Sequence, residues 1–205
     1  MNGDPPARPL REGDVDSDPL RQFDAWFREA EGVGAPLAEA AALATATGEG
    51  TPSARMVLVK GYDEHGFLFH SNYESRKGRE LDVNPRAALL FYWHPLGRQV
   101  RVEGTVERVA RDESERYFRT RPPRARVAAA ASRQSAVIAS RDELEARFDE
   151  LLAEHGEDVP LPNDWGGYRL VPETIEFWQH RDDRLHDRLR YRRERGAWAL
   201  ERLAP

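Results

Sequence analysis

Between residues 41 and 109 the apolar residues fall into short segments of strand length, and the breaks between them are turns. Ala41–Thr47 reads as a strand, Gly48-Glu49-Gly50 as a turn, and Ser53–Lys60 as a second strand. A turn at Tyr62–Gly66 leads to a third strand, Phe67–Ser71. After a short helical stretch at Ser75–Val83, closed by Asn84-Pro85, come Ala87–Trp93 and Gln99–Val109, with Gly104 marking a bulge or a close backbone approach. The alternation of strand and long helix that builds a doubly wound parallel sheet is missing. So are the glycine-rich phosphate loops G-x-G-x-x-G and G-x-x-x-x-G-K-[ST], and any bound phosphate must be held by side chains and helix ends.

The flanks fit the same picture. Residues 1–17 are rich in Pro, Asp and Gly and read as a mobile tail. Asp18 can cap a helix that begins at Pro19 and places Leu20, Phe23, Trp26, Phe27 and Ala30 on one face, before Gly32 and Gly34 end it. Beyond the meander, helices are expected over Asp112–Arg121 and Pro122–Ser132. Another starts at the capping box Ser140–Glu143, with Leu144, Phe148, Leu151 and Leu152 inward. Strand-like segments resume at Tyr168–Val171, Thr174–Trp178 and Leu185–Arg192, and a turn at Gly196 leads to Ala197–Arg202. The expectation is a mainly β chain with flanking helices, a closed antiparallel barrel forming one domain over residues 18–205.

Composition narrows the chemistry. The chain has no cysteine, which excludes disulfides, thiolate metal sites and a cysteine nucleophile. A net charge of −5 disfavours a general nucleic-acid role. No apolar run is long enough to span a bilayer and the N-terminus has no signal-peptide stretch, so a cytoplasmic protein is expected. Only two of the 31 basic residues are lysine, Lys60 and Lys77.

Both lysines stand in candidate sites. In Arg55-Met56-Val57-Leu58-Val59-Lys60, alternation puts Arg55, Val57 and Val59 on one face and Met56, Leu58 and Lys60 on the other. The basic ends can bind an anion, or simply reach solvent from a core strand. In Ser71-Asn72 followed by Ser75-Arg76-Lys77-Gly78, a hydroxyl, a helix N-terminus and two cations can form a phosphate site. The other reading is a solvated first turn, but the macrodipole disfavours Arg and Lys there. Ser132-Arg133-Gln134-Ser135 alone reads as a polar loop. On an extended segment Arg184, His186 and Arg188 would share one face, which suits an anion or an exposed polar edge. His180 and His186 are too sparsely supported for a metal site.

Taken in order, these segments resemble the pyridoxamine/pyridoxine 5′-phosphate oxidase family from about Asp18 to the C-terminus. The resemblance is carried by RMVLVK at 55–60, SRKG at 75–78, NPRAALLFYW at 84–93, RQVRVEG at 98–104 and YFRTRP at 117–122. It continues through SRQS at 132–135, PLPNDWGGYRL at 161–170, IEFWQ at 175–179, RLHDR at 184–188 and the terminal ERLAP. It implies a split β-barrel homodimer with FMN in clefts between the subunits. It also implies oxidation of pyridoxamine or pyridoxine 5′-phosphate to pyridoxal 5′-phosphate, by hydride transfer to the flavin and reoxidation by O2 to give hydrogen peroxide.

Carried over by position, the resemblance implies FMN contacts from Arg55, Met56, Val57, Leu58, Val59, Lys60, His70, Ser71, Arg76, Lys77, Gln99, Gln134, Ser135, Trp178 and Arg188. Trp178 and Arg188 would come from the second copy. It implies substrate contacts from Lys60, Tyr117, Arg121, Arg184 and His186, the last two acting catalytically by orienting the reacting carbon. The chain departs from the family at Ala125, where a serine is common, and at Ala128-Ala129-Ala130, where Gly-Ala-Trp is usual. His70 replaces a tyrosine or phenylalanine, and no substrate-covering segment is visible before Leu10. Two alternatives stay open: an FMN oxidase of the same barrel acting on another reduced ring, as in phenazine biosynthesis, and a non-catalytic flavin- or pyridoxal-phosphate-binding protein.

Overall fold

The structure is a computed structural model that describes residues 9–156 and 158–205. Eight strands form one antiparallel sheet: β1 (Ala40–Ala46), β2 (Pro52–Asp63), β3 (Gly66–Asn72), β4 (Arg86–Trp93), β5 (Arg98–Arg108), β6 (Trp165–Gln179), β7 (Asp187–Glu194) and β8 (Ala197–Arg202). Their order is β3-β2-β1-β4-β5-β6-β7-β8, and a further pairing of β3 with β6 closes the first six into a barrel. Closure removes the free edges that an open sheet would expose. The β7–β8 hairpin extends β6 outside the barrel, and its turn at Arg195-Gly196 has positive φ at both residues, as a tight two-residue hairpin requires.

The expected breaks fall close to the observed ones, with one correction. Tyr168–Val171 and Thr174–Trp178 are one continuous strand, β6, which pairs with β3, β5 and β7. Pro172 does not interrupt it because the residue sits where the β5–β6 register shifts, between Glu103 and Gly104. A bulge is one of the places where a strand tolerates proline. Gly104 is needed at that point, since a Cβ there would lie 2.0 Å from the Val171 carbonyl oxygen.

Helix α1 (Pro19–Gly32) is capped by the Asp18 carboxylate, which accepts from the Leu20 amide. Its apolar face covers the barrel: Phe23 packs edge-on against Tyr62, Phe67 and Phe91, and Trp26 against Phe177. These buried aromatics and the inward residues of all barrel strands make the main core. Helices α3 (Arg111–Thr120), α4 (Pro123–Ala131) and α5 (Arg141–His155) follow β5, and α4 and α5 share a second, smaller core around Val127, Ala131, Leu151 and Val159. In α5 Leu151 is buried, while Leu144, Phe148 and Leu152 are partly buried against that cluster. Ser140 accepts from the Glu143 amide, as the capping box predicts.

The tail expected over residues 1–17 lies outside the described residues as far as residue 8. From Pro9 onward the chain is mostly exposed but anchored at a few points. Leu10 is buried and its amide donates to Asp187 Oδ2, while Arg202 binds the Glu12 carboxylate at 2.7 Å and the Leu10 carbonyl at 2.9 Å. No helix among the described residues is long and apolar enough to cross a membrane.

Candidate functional site

Helix α2 (Arg76–Val83) begins against the open face of β2 and β3. Ser75 caps it by accepting from the Gly78 amide. A Cβ on residue 78 would lie 1.9 Å from the Tyr73 carbonyl oxygen, so glycine lets the first turn sit tight on the preceding loop. This anchoring fixes where Arg76 and Lys77 stand.

The resulting cleft, of about 500 Å³, is lined by Arg55, Met56, Val57 and Leu58 from β2, His70 and Ser71 from β3, Arg76 and Lys77 from α2, and Gln134 and Ser135 from the loop after α4. Met56 is 65% exposed on the cleft face, whereas Val59 points into the barrel core and does not line the cleft. Lys77 is buried, and its ammonium donates to Ser71 Oγ at 2.8 Å, Gln134 Oε1 at 2.8 Å and Ser75 Oγ at 3.2 Å. All three acceptors are neutral. Burial, then the nearby Arg55 charge, lowers the Lys77 pKa to about 8. A cation desolvated without a carboxylate is costly unless an anion joins it.

Glu80 lies behind this cluster. Burial alone would raise its pKa, but hydrogen bonds from Ser53, Thr45 and Arg76 and the charge of Arg55 pull it to about 2. It is therefore a fixed negative charge beneath two arginines.

A second cleft, of about 350 Å³, continues from the first; the two share Leu58, His70, Ser71 and Gln134. Its other walls include Lys60, Tyr117, Arg121, Ala128, Ala129 and Trp165. His70, Tyr117 and Trp165 stack with nearly parallel rings, His70 and Tyr117 at 3.7 Å between centroids. Burial, then the Arg121 charge, holds the His70 imidazole at about 4, so it is neutral, and neither of its nitrogens has a partner. The Arg121 guanidinium lies 4.9 Å over the Trp165 ring, and its Nη1 is buried without a hydrogen-bond partner. Lys60 sits at the bulge between Val59 and Gly61 and meets Glu39 at 3.2 Å.

The remaining predicted residues do not line either cleft. Gln99, Trp178 and Arg188 pair side by side in a row across β5, β6 and β7. Arg188 is held by the buried Glu176 at 2.7 Å and by the Ala204 carbonyl at 2.8 Å. The expected shared face of Arg184, His186 and Arg188 is corrected here. Arg184 lies in a turn, with φ +65° and its amide bonded to the Arg181 carbonyl, and β7 starts only at Asp187. The Asp182-Asp183 pair favours that turn over an extended strand. His186 precedes β7 and packs near Trp178, with ring centroids 4.6 Å apart. Its Nδ1 accepts the Arg181 amide, which leaves Nε2 to carry the proton of the neutral ring. Burial, then His180 and Arg184, lowers its pKa.

Sequence reasoning missed Glu80, Thr45, Ser53 and Trp165. The spacing of Arg76 and Glu80 on one helix face was the available signal for the first. Among the described residues no cluster of His, Cys, Asp and Glu is arranged to hold a metal.

The buried Lys77 of the first cleft and the orphaned Arg121 Nη1 of the second both call for anions, so the residues present fit phosphorylated ligands in the groove. Comparison with known proteins agrees. Residues 35–154 match the family model described as pyridoxamine 5′-phosphate oxidase, and residues 165–205 match the pyridoxine 5′-phosphate oxidase C-terminal dimerisation region. The chain is 56% identical over 199 residues to a pyridoxine/pyridoxamine 5′-phosphate oxidase of Burkholderia thailandensis, covering 96% of this chain and 93% of that one. A counterpart in Burkholderia vietnamiensis is 54% identical with the same coverage. Among solved structures, PhzG from Burkholderia lata, in complex with tetrahydrophenazine-1-carboxylic acid, superposes with a TM-score of 0.93 at 34% identity, covering 99% of this chain and 100% of that one. An FMN-binding protein from Nostoc punctiforme shares the fold, with a TM-score of 0.74 at 18% identity over 93% of this chain and 100% of that one. The barrel is thus the split barrel of FMN-binding proteins, and the chain belongs to the pyridoxamine 5′-phosphate oxidase family.

Proposed function

We propose that the protein is an FMN-dependent oxidase that converts pyridoxamine or pyridoxine 5′-phosphate to pyridoxal 5′-phosphate, with O2 as acceptor and hydrogen peroxide as co-product, water being consumed and ammonia released when the amine is the substrate, acting as a cytoplasmic homodimer. One observation carries this reading: a continuous groove holds two separate cation clusters, Arg55/Arg76/Lys77 and Lys60/Arg121. Two clusters suit two phosphates, one on the flavin and one on the substrate. When bound, FMN supplies the hydride acceptor.

The chain's own residues bind and orient. Arg76 and Lys77 hold the flavin phosphate, and β2 from Arg55 to Leu58 with Ser71, Gln134 and Ser135 forms the walls. Arg121, Lys60 and the Tyr117 hydroxyl hold the substrate phosphate. Gln99, Trp178 and Arg188 form the complementary half that a second copy brings to the flavin, and Arg184 and His186 orient the substrate carbon that is oxidised. The match of residues 165–205 to a dimerisation region supports this division. Purified protein should be yellow, dimeric by sedimentation, and loaded with about one FMN per chain. A colourless monomer that takes up no added FMN would end the reading.

The likeness to PhzG and the small walls at Ala128 and Ala129 favour a second reading, oxidation of a reduced phenazine carboxylate. Two cations, Arg121 and Lys60, match the charge of a phosphate dianion better than the single charge of that carboxylate. Anaerobic mixing separates the two: pyridoxine 5′-phosphate should bleach the flavin far faster than tetrahydrophenazine-1-carboxylic acid does.

Lys77 gives the flavin site a pH signature. With its pKa lowered to about 8, it loses its proton above that pH in the free protein, whereas a phosphate monoester is already dianionic above pH ~6. FMN affinity should therefore fall between pH 7 and 9.5, approaching about tenfold per unit at the upper end. Titration by flavin fluorescence at several pH values checks this. A flat profile, or the same fall in Lys77→Ala, would contradict it.

A further inference from the structure

Arg76 is an unusual anion-binding group. It stands in the first turn of α2, where the macrodipole disfavours a cation, and its side chain is 56% exposed. An exposed arginine normally samples many rotamers, and fixing it on a ligand costs entropy. Its Nε donates to Glu80 Oε1 at 2.9 Å, and among the described residues Arg76 makes no other hydrogen bond. The two terminal nitrogens thus form an uncommitted fork at the cleft.

Glu80 is suited to hold that fork still. It is 4% exposed, and its other oxygen accepts from Thr45 Oγ1 at 2.5 Å, Ser53 Oγ at 2.6 Å and Arg55 Nη2 at 3.4 Å. Strands β1 and β2 therefore pin the carboxylate from the side away from the fork. An exposed i,i+4 ion pair is ordinarily loose and weak. This one has a mobile end and an immobile end. Arg55 is committed as well: it donates to the Leu43 carbonyl, Thr45 and Ser53.

We propose that Glu80 is a positioning residue, which fixes the Arg76 guanidinium for the flavin phosphate and so sets the chain's preference for FMN over the unphosphorylated flavin. The inference rests on the functional reading above. It has a competing explanation with the opposite sign. A carboxylate beside an anion site also subtracts positive charge. If Glu80 only balanced Arg55 and Arg76, its removal would make the cleft more positive and FMN would bind more tightly. If it positions Arg76, FMN binds more weakly.

The test measures dissociation constants for FMN and for riboflavin by flavin fluorescence, at fixed ionic strength, in wild type, Glu80→Ala, Glu80→Gln, Arg76→Ala and the Glu80→Ala/Arg76→Ala double variant. By analogy with the partners that orient metal ligands, Glu80→Ala should weaken FMN by about 10- to 100-fold. Riboflavin should be unaffected. Glu80→Gln, which keeps the shape and one acceptor, should show a smaller loss of the same kind and carries the test if Glu80→Ala does not fold. The double variant should bind FMN no more weakly than Arg76→Ala. Tighter FMN binding, an equal loss for both flavins, or additive losses in the double variant would overturn the proposal. Failure of the wild type to prefer FMN would instead overturn the functional reading beneath it.

Discussion

Arg121→Ala should raise KM for a phosphorylated substrate by about 10- to 150-fold and leave FMN bound as in the wild type. Nη1 of Arg121 is buried without a partner, and burial lowers the guanidinium's pKa, yet an arginine stays charged. The protein therefore bears the desolvation cost of this cation in advance. A substrate phosphate recovers it through a charge-assisted hydrogen bond, a contact worth about 1.5–3 kcal/mol. The contact is the same in ground and transition states, so the loss falls on KM rather than kcat. Lys60→Ala should act in the same direction and less strongly, because Lys60 is more exposed and already paired with Glu39. Steady-state kinetics with parallel FMN titration decides the matter. Lost FMN with an unchanged substrate KM would exchange the two phosphate sites.

His186→Asn and Arg184→Ala should keep the yellow colour and the dimer but slow flavin reduction by about 100-fold. The Arg181 amide sets the tautomer and angle of the His186 ring, and the 181–184 turn brings the Arg184 backbone close to it. A ring held in this way can orient a reacting carbon, and misplacement by about 1 Å can cost 10²-fold. Anaerobic stopped-flow reports the step itself. Wild-type reduction rates in both variants would remove these residues from the chemistry and return them to a polar surface loop.

What could be read in the sequence follows from what is local. Strands β1 to β5 were legible because alternation, turn residues and the Asn84-Pro85 stop all lie within a few positions of each other. The unity of β6 was not, because Pro172 looks like a break until Gly104 on the neighbouring strand supplies the bulge. The anchoring of Leu10 and Glu12 was hidden for the same reason: their partners Asp187 and Arg202 lie far along the chain. In the site, Arg76 and Lys77 stood out because cations oppose the dipole at a helix start. Glu80 did not, since its meaning depends on Thr45, Ser53 and Arg55 from other strands. Arg184 was misplaced on a strand face because an alternating R-x-H-x-R pattern is also compatible with a turn that ends just before a strand.

The most direct test of the account is aerobic incubation of the purified, FMN-loaded protein with pyridoxamine 5′-phosphate, following the aldehyde product and peroxide together. Pyridoxal 5′-phosphate and hydrogen peroxide should appear in equal amounts, over many turnovers per flavin. A flavin-loaded dimer that forms neither product would contradict the assignment.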